Sequence, residues 1–175
     1  GLLLLNSDLT KKLEGLSEIT GLTVLAGNFG CSVSKLDLSG CVNLKKIVTY
    51  SAWEGANLIL PASIENLNLS FENNSYIDFS RCEKLSTISL NDCIVYSEDQ
   101  LTYILNSIKN LKNANRLIIQ NVYQGKIENL DCLEILKDSN ITYFEWSTAG
   151  QRYNLKDING LKYLKKLKSL SLEYI

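Results

Sequence analysis

The chemistry open to this chain is bounded first by the residues it lacks. Its 175 residues include no histidine. That removes Ser-His-Asp and Cys-His nucleophile pairs, histidine metal sites and the usual proton shuttle near neutral pH. Neither a G-x-x-x-x-G-K-[ST] nor a G-x-G-x-x-G segment occurs, so no phosphate cradle is signalled. Any two of the 19 acidic residues could meet in space as a glycosidase-like pair, but no spacing marks one. The five cysteines, at positions 31, 41, 82, 93 and 132, form no C-x-x-C and are odd in number, so a complete disulfide framework is impossible. These observations predict a non-catalytic chain with no cofactor and no metal. What remains is binding chemistry, and its strongest candidates are Asn91, Arg116, Ile118, Gln120, Tyr143 and Glu145.

Those six residues are singled out by the elements that must carry them. The stretch LSTISLNDC fits the template L-x-x-L-x-L-x-x-N/C at Leu85, Ile88, Leu90 and Cys93. The phrase returns at Val33-Leu36-Leu38-Cys41, Ile64-Leu67-Leu69, Ala114-Leu117-Ile119-Val122, Ile141-Phe144-Trp146 and Leu167-Leu170-Leu172-Ile175. The starts of these six phrases are 31, 21, 29, 27 and 26 residues apart, around the period of about 20 to 29 residues of a leucine-rich solenoid. Side chains alternate across a strand, so the L-x-L residues point to the core and their neighbours to solvent. The outward positions of the later repeats are then Thr87, Ser89 and Asn91; Arg116, Ile118 and Gln120; Tyr143, Glu145 and Ser147; and Ser169, Ser171 and Glu173. An arginine, a tyrosine and an isoleucine together have the composition of an interface hot spot. The alternative is that Ile118 only fills a β-rich stretch and that a neighbour covers Tyr143.

Taken in order, the chain opens with GLLLLN, which lacks a basic flank and does not read as a signal peptide. A capping segment is expected within residues 1–15, with a short helix near Asp8 to Leu13. Apolar residues then fall at 13, 16, 19, 22 and 25, a step of three that belongs neither to an α-helix nor to a strand. Leu36, Leu38, Cys41, Leu44 and Ile47 recur 41 residues later as Ile77, Phe79, Cys82, Leu85 and Ile88, with LILPASIENLNL lying between the copies. Either Leu36/Leu38 or Ile47/Thr49 would supply the first main strand, and the sequence leaves both open. Pro61 lacks an N–H and belongs at a strand end. The segment from Ser97 to Asn113 has helical spacing at Leu101, Ile104, Leu105, Ile108 and Leu111, with Ser97 and Gln100 as a capping box. A second helix is expected over Ile127 to Leu136, with Leu130, Leu133 and Leu136 facing inward. Lys162, Lys165, Lys166 and Lys168 read as a solvated face. Cys41, Cys82 and Cys93 hold repeat-turn positions, where buried unpaired thiols are expected.

The phrases LILPASIENLNL and FSRCEKLSTISL resemble the surface leucine-rich repeats of the BspA-like bacterial group, and LKDINGLKYLKKLKSLSL is similar to internalin-type repeats. The resemblance covers most of Leu16 to Ile175. It implies an α/β leucine-rich-repeat solenoid, 1–175 as one domain, with a curved parallel β-sheet on the concave face and helices and irregular turns on the convex face. It also implies an extracellular or cell-surface module that binds a protein, since such families mostly do so. The alternatives are a scaffold fragment of a larger surface protein and a carbohydrate-binding module. The charge balance, −1 overall with 21% charged residues, argues against a nucleic-acid partner, as does the scarcity of arginine. No stretch reaches the roughly 20 apolar residues of a membrane span. The sequence leaves the oligomeric state open.

Overall fold

The computed structural model describes residues 2–4, 15–27, 35–53, 57–71, 76–79, 81–91, 98–122, 127–148 and 155–173. Among the described residues one long sheet has eight parallel strands, the last five built by the repeated phrase: β1 (Leu2–Leu4), β2 (Val24–Gly27), β4 (Lys46–Trp53), β6 (Asn66–Phe71), β8 (Thr87–Asn91), β9 (Arg116–Val122), β10 (Tyr143–Thr148) and β11 (Ser169–Glu173). Sheet order follows chain order. Three short strands, β3 (Lys35–Asp37), β5 (Asn57–Ile59) and β7 (Tyr76–Asp78), form a second parallel sheet. This is a mixed, mostly β architecture with a solenoid-like arrangement in which each turn lays its strand beside that of the turn before.

Register follows the apolar alternation. Leu25, Ile47, Leu67, Ile88, Leu117, Phe144 and Leu170 stand side by side across seven strands. All but Leu170 are buried in one continuous core running from Leu16 to Leu164. Backbone bonds stitch each turn to the one before, just ahead of the strands. The N–H of Lys45 donates to the Thr23 carbonyl, Glu65 to Lys45, Ser86 to Glu65, Asn115 to Ser86, Thr142 to Asn115 and Lys168 to Thr142. A chain that satisfies its backbone from turn to turn needs little else in its loops.

The choice between Leu36/Leu38 and Ile47/Thr49 disappears, because both segments carry a strand. Ile47 and Thr49 lie in the long sheet and Leu36 lies in the second, with Leu38 directly following β3. The 41-residue match therefore spans both sheets, pairing β3 and β4 with β7 and β8. The long first interval, from Val33 to Ile64, is corrected accordingly: it joins a phrase of the second sheet to a phrase of the long one. From β2 onward the strands of the long sheet begin at Val24, Lys46, Asn66, Thr87, Arg116, Tyr143 and Ser169, so the three turns up to Thr87 are each shorter than the three that follow. Pro61 follows β5, beyond the end of its ladder.

Helix α1 (Glu98–Ile108) links β8 to β9 and buries Leu101, Ile104, Leu105 and Ile108. Its expected cap Ser97, like the expected helix at Asp8 to Leu13, lies outside the described residues. The second expected helix is corrected to a 3-10 turn, Asp131–Leu136, preceded by a parallel bridge between Asn129 and Asp157. Its three inward leucines do point to the core: Leu130, Leu133 and Leu136 are buried. A step of three residues is the 3-10 period, so the spacing itself disfavoured an α-helix. Two further 3-10 turns lie at Leu16–Glu18 and Asn159–Tyr163. In the early step of three, Leu16, Leu22 and Leu25 are buried, whereas Ile19 is 44% exposed.

Successive turns approach backbone to backbone at two glycines. A Cβ on Gly160 would stand 1.8 Å from the Leu130 carbonyl oxygen, and one on Gly40 would stand 2.2 Å from that of Ser17.

Candidate binding surface

The outward side chains of the long sheet form rows set by the strand register. One row runs Lys46, Asn66, Thr87, Arg116, Tyr143, Ser169 and the next runs Val48, Asn68, Ser89, Ile118, Glu145, Ser171. Neighbouring strands lie about 4.8 Å apart, so residues in one row are forced into contact. All six candidate residues fall on this face. Five of them, Asn91, Arg116, Ile118, Gln120 and Tyr143, are half-buried. The sixth is corrected: Glu145, expected to face solvent, is only 9% exposed, and Ser89 and Ser147 are buried with it. Close lateral packing covers short side chains between longer ones, which strand alternation does not foretell.

Arg116, Gln120, Tyr143 and Glu145 form one connected group. The Arg116 guanidinium lies over the Tyr143 ring, 3.6 Å from its centroid, a cation–π geometry. The Tyr143 hydroxyl donates to Glu145 Oε2, and Gln120 Nε2 donates to Glu145 Oε1. Tyr143 and Glu145 are two residues apart on one strand and so share a face, while Gln120 reaches across from β9. Both oxygens of this nearly buried carboxylate are thereby satisfied, as a buried charge requires. The hydrogen bond to Glu145 raises the Tyr143 pKa above its ordinary value of 10.0, with burial and the Glu145 charge adding to it and the Arg116 charge opposing it. The phenol therefore stays a protonated donor.

Asn91 belongs to a separate, smaller group. Its Nδ2 donates to Asn68 Oδ1 at 2.6 Å and its Oδ1 accepts from Ser89 Oγ at 3.1 Å. Among the described residues the long sheet's outward face thus divides into an amide and hydroxyl part on β6 and β8 and an Arg–Tyr–Glu–Gln part on β9 and β10.

The sequence reading missed a second role for asparagine. Asn43 Nδ2 donates to the Thr20 carbonyl at 2.9 Å, Asn113 Nδ2 to Glu83 at 2.6 Å and Asn140 Nδ2 to Lys112 at 2.6 Å. Each of these residues stands immediately before the first apolar residue that leads into a strand of the long sheet, and Ser63, in the same place, donates to the Leu44 carbonyl at 2.7 Å. The signal was the recurrence of a short polar donor at that one position. The lysines 162, 165, 166 and 168 are exposed, and Lys166 Nζ donates to Asn140 Oδ1 at 2.5 Å.

Cys41, Cys82 and Cys132 are free and buried, while Cys31 and Cys93 lie outside the described residues. Burial pushes the Cys82 thiol up to about 12 and the Cys132 thiol up to about 11, with nearby carboxylates adding to both. Thiols held so far from ionisation are poor nucleophiles. Among the described residues no three His, Cys, Asp or Glu side chains gather into a metal site. No helix among them is long and apolar enough to cross a membrane. No protein-family model matches the chain, and no curated protein matches it.

Proposed function

We propose that this chain is a non-catalytic leucine-rich-repeat module that binds a protein through the outward, concave face of its long sheet. One observation carries the reading: Arg116, Tyr143, Glu145 and Gln120 are locked together by stacking and hydrogen bonds before any partner arrives. Tyrosine and arginine supply a large share of binding energy at protein interfaces. Side chains already ordered lose less entropy on association, about 0.5–1.5 kcal/mol for each rotamer-rich chain held in place. Ile118, in register with Glu145, adds an apolar floor to the patch. A bacterial surface or secreted setting accompanies this reading through the resemblance of the repeat phrases.

A second reading is a scaffold that presents or extends another domain. A carbohydrate-binding role would want aromatics in a row, and among the described residues of the outward rows Tyr143 is the single aromatic.

The test is affinity capture from host and bacterial surface extracts, read by quantitative mass spectrometry. It uses wild type, the double variant Tyr143→Ala/Arg116→Glu, and Lys162→Glu as a charge change away from the patch, each checked for an unchanged circular-dichroism melt. The expected result is a protein held by wild type and Lys162→Glu and depleted at least tenfold by the double variant. Equal retention by all three would remove the patch from the binding site, and capture of nothing would favour the scaffold.

A further inference from the structure

Of the two charges in the Arg116–Tyr143–Glu145–Gln120 group, one is satisfied within the chain and the other is not. The Glu145 carboxylate, 9% exposed, accepts from the Tyr143 hydroxyl on one oxygen and from Gln120 Nε2 on the other. It holds Tyr143 in place and is not paired with a cation. Among the described residues the ion pairs are Lys35–Asp37, Lys45–Glu65 and Lys156–Glu128, and none includes Arg116. The central carbon of the Arg116 guanidinium lies 3.6 Å from the Tyr143 ring centroid. Stacking occupies a face of this planar group and leaves its N–H donors, which lie in the plane, for a carboxylate. A second carboxylate charge, that of Glu173, reaches Tyr143, but Glu173 is in register with Ser147 at the far end of β10. At the heads of the strands the surroundings are neutral or positive. Thr87 and Tyr143 flank Arg116 in its row. Ser86, Asn115 and Thr142 precede β8, β9 and β10, while Lys45 and Glu65, at the same place in earlier turns, cancel each other at 3.2 Å. The next charge toward the last turn is another cation: Lys168, exposed, directly precedes Ser169, which stands beside Tyr143 in register.

We propose that the partner presents an extended acidic segment to these strand heads, with one carboxylate held by Arg116 and a second, three residues on, met by Lys168. The inference rests on the function proposed above and names the chemistry of its partner. From β9 to β11 is two strand spacings, about 9.6 Å, and an extended chain covers about 10 Å in three residues. A guanidinium takes a carboxylate through two parallel N–H donors, so Arg116 fixes the orientation of the segment. Lys168 acts as a point charge on a flexible stem and adds attraction without a fixed geometry. Ile118, half-buried and two residues along β9 from Arg116, offers contact to an apolar residue next to the first acid. A basic segment would meet two like charges here and be rejected.

The probe is the peptide Ser-Asp-Val-Ser-Glu-Ser with blocked ends, titrated into the isotopically labelled chain and followed by NMR. The readout is the arginine Nε–Hε signals; the chain has Arg81, Arg116 and Arg152, and Arg116→Lys identifies the signal of interest by its loss. The Arg116 signal should shift saturably while the other two stay in place. A peptide with both acids replaced by amides should bind at least tenfold more weakly. Ser-Asp-Glu-Val-Ser-Ser, with the acids side by side, should bind about threefold more weakly. Arg116→Lys keeps the charge but not the paired donors, and should weaken the parent peptide at least fivefold, read at the Tyr143 amide. Lys168→Ala should weaken it about threefold and leave a peptide with the aspartate alone unaffected. Each variant is checked for an unchanged circular-dichroism melt. The proposal is overturned by an unmoved Arg116 signal at millimolar peptide, by equal binding of the amide peptide, or by indifference to Arg116→Lys. If affinity capture is then still lost in Tyr143→Ala/Arg116→Glu, only the acidic chemistry of the partner falls; if capture is indifferent as well, the binding surface falls with it. A heparin hexasaccharide that shifts Arg116 when the peptide does not would make this a site for sulfated polysaccharide and would likewise overturn the proposal.

Discussion

The two ends of this protein solve one packing problem in different ways. From β2 to β8 the turns are short, and the turns from β3 to β7 put a second short strand on their backs; from β8 onward every turn is longer and the backs are helical. The strands facing them share one register along the row from Leu25 to Leu170, with shifts farther along the β4–β6 and β9–β10 pairs. The difference lies in how the back segment satisfies its own backbone. A strand needs a neighbour on either side, so β3, β5 and β7 work as a set, which no further strand extends among the described residues. A helix bonds to itself and can be placed in a single turn, at the cost of length. The difference extends to the outward face. The early turns show lysine, asparagine, threonine and valine in the aligned rows, whereas the later turns bring together Arg116, Ile118, Tyr143 and Glu145. The stacked arginine and tyrosine and the covered carboxylate thus gather in the half with helical backs.

The largest effect should come from breaking the shared core row at its most enclosed point. Phe144→Ala removes a fully buried ring from the centre of the later half and should cost about 3–5 kcal/mol, seen as a lower midpoint in urea unfolding. Leu170→Ala, in the same row but 45% exposed, should cost about 1 kcal/mol or less. Equal losses would mean that enclosure does not set the contribution of this row.

A smaller effect separates the two kinds of back. Thr102→Pro, in the middle of α1, removes a helical hydrogen bond and should cost about 3 kcal/mol. In a solenoid each turn touches mainly its neighbours, so hydrogen exchange should accelerate in β9 and β10 well before it does in β2 and β4. Uniform acceleration from β2 to β11 would show that the halves unfold as one unit.

The smallest effect tests the locked patch. Tyr143 is held protonated chiefly by its hydrogen bond to Glu145, so its tyrosinate absorbance should develop above the ordinary value of 10.0. Because the folded pKa lies above the unfolded one, this stabilisation is complete below about pH 10 and is lost as pH rises through the folded value. Glu145→Gln should bring the titration closer to 10.0, and an unshifted titration would remove the Glu145 link as its cause.

Much of this was legible in the residues. The three-then-two spacing of Ile64-Leu67-Leu69 or Leu85-Ile88-Leu90 specifies an inward-pointing strand, because alternation is a local property of extended backbone. The helix at Leu101 to Ile108 was legible for the same kind of reason, since its period repeats within a few turns. The outward placement of Arg116, Ile118 and Tyr143 followed directly from strand parity. Other features were not local. Leu36-Leu38 and Ile47-Thr49 carry similar short alternations, so nothing inside either segment says which sheet it joins. The answer depends on which segments lie one turn before and one turn after. The Asn113 and Asn140 bonds close over separations of 30 and 28 residues, beyond any local pattern except the position at which the residues recur.

The sequence by itself therefore determined the strands of the long sheet from β6 onward, their inward faces and the absence of histidine chemistry, because composition and short-range periodicity carry that information. Only the tertiary structure decided that Glu145 is covered and that Arg116 stacks on Tyr143. Those outcomes arise where residues from different turns are pressed together about 5 Å apart, and the size and shape of a neighbour one turn away decide what each side chain meets.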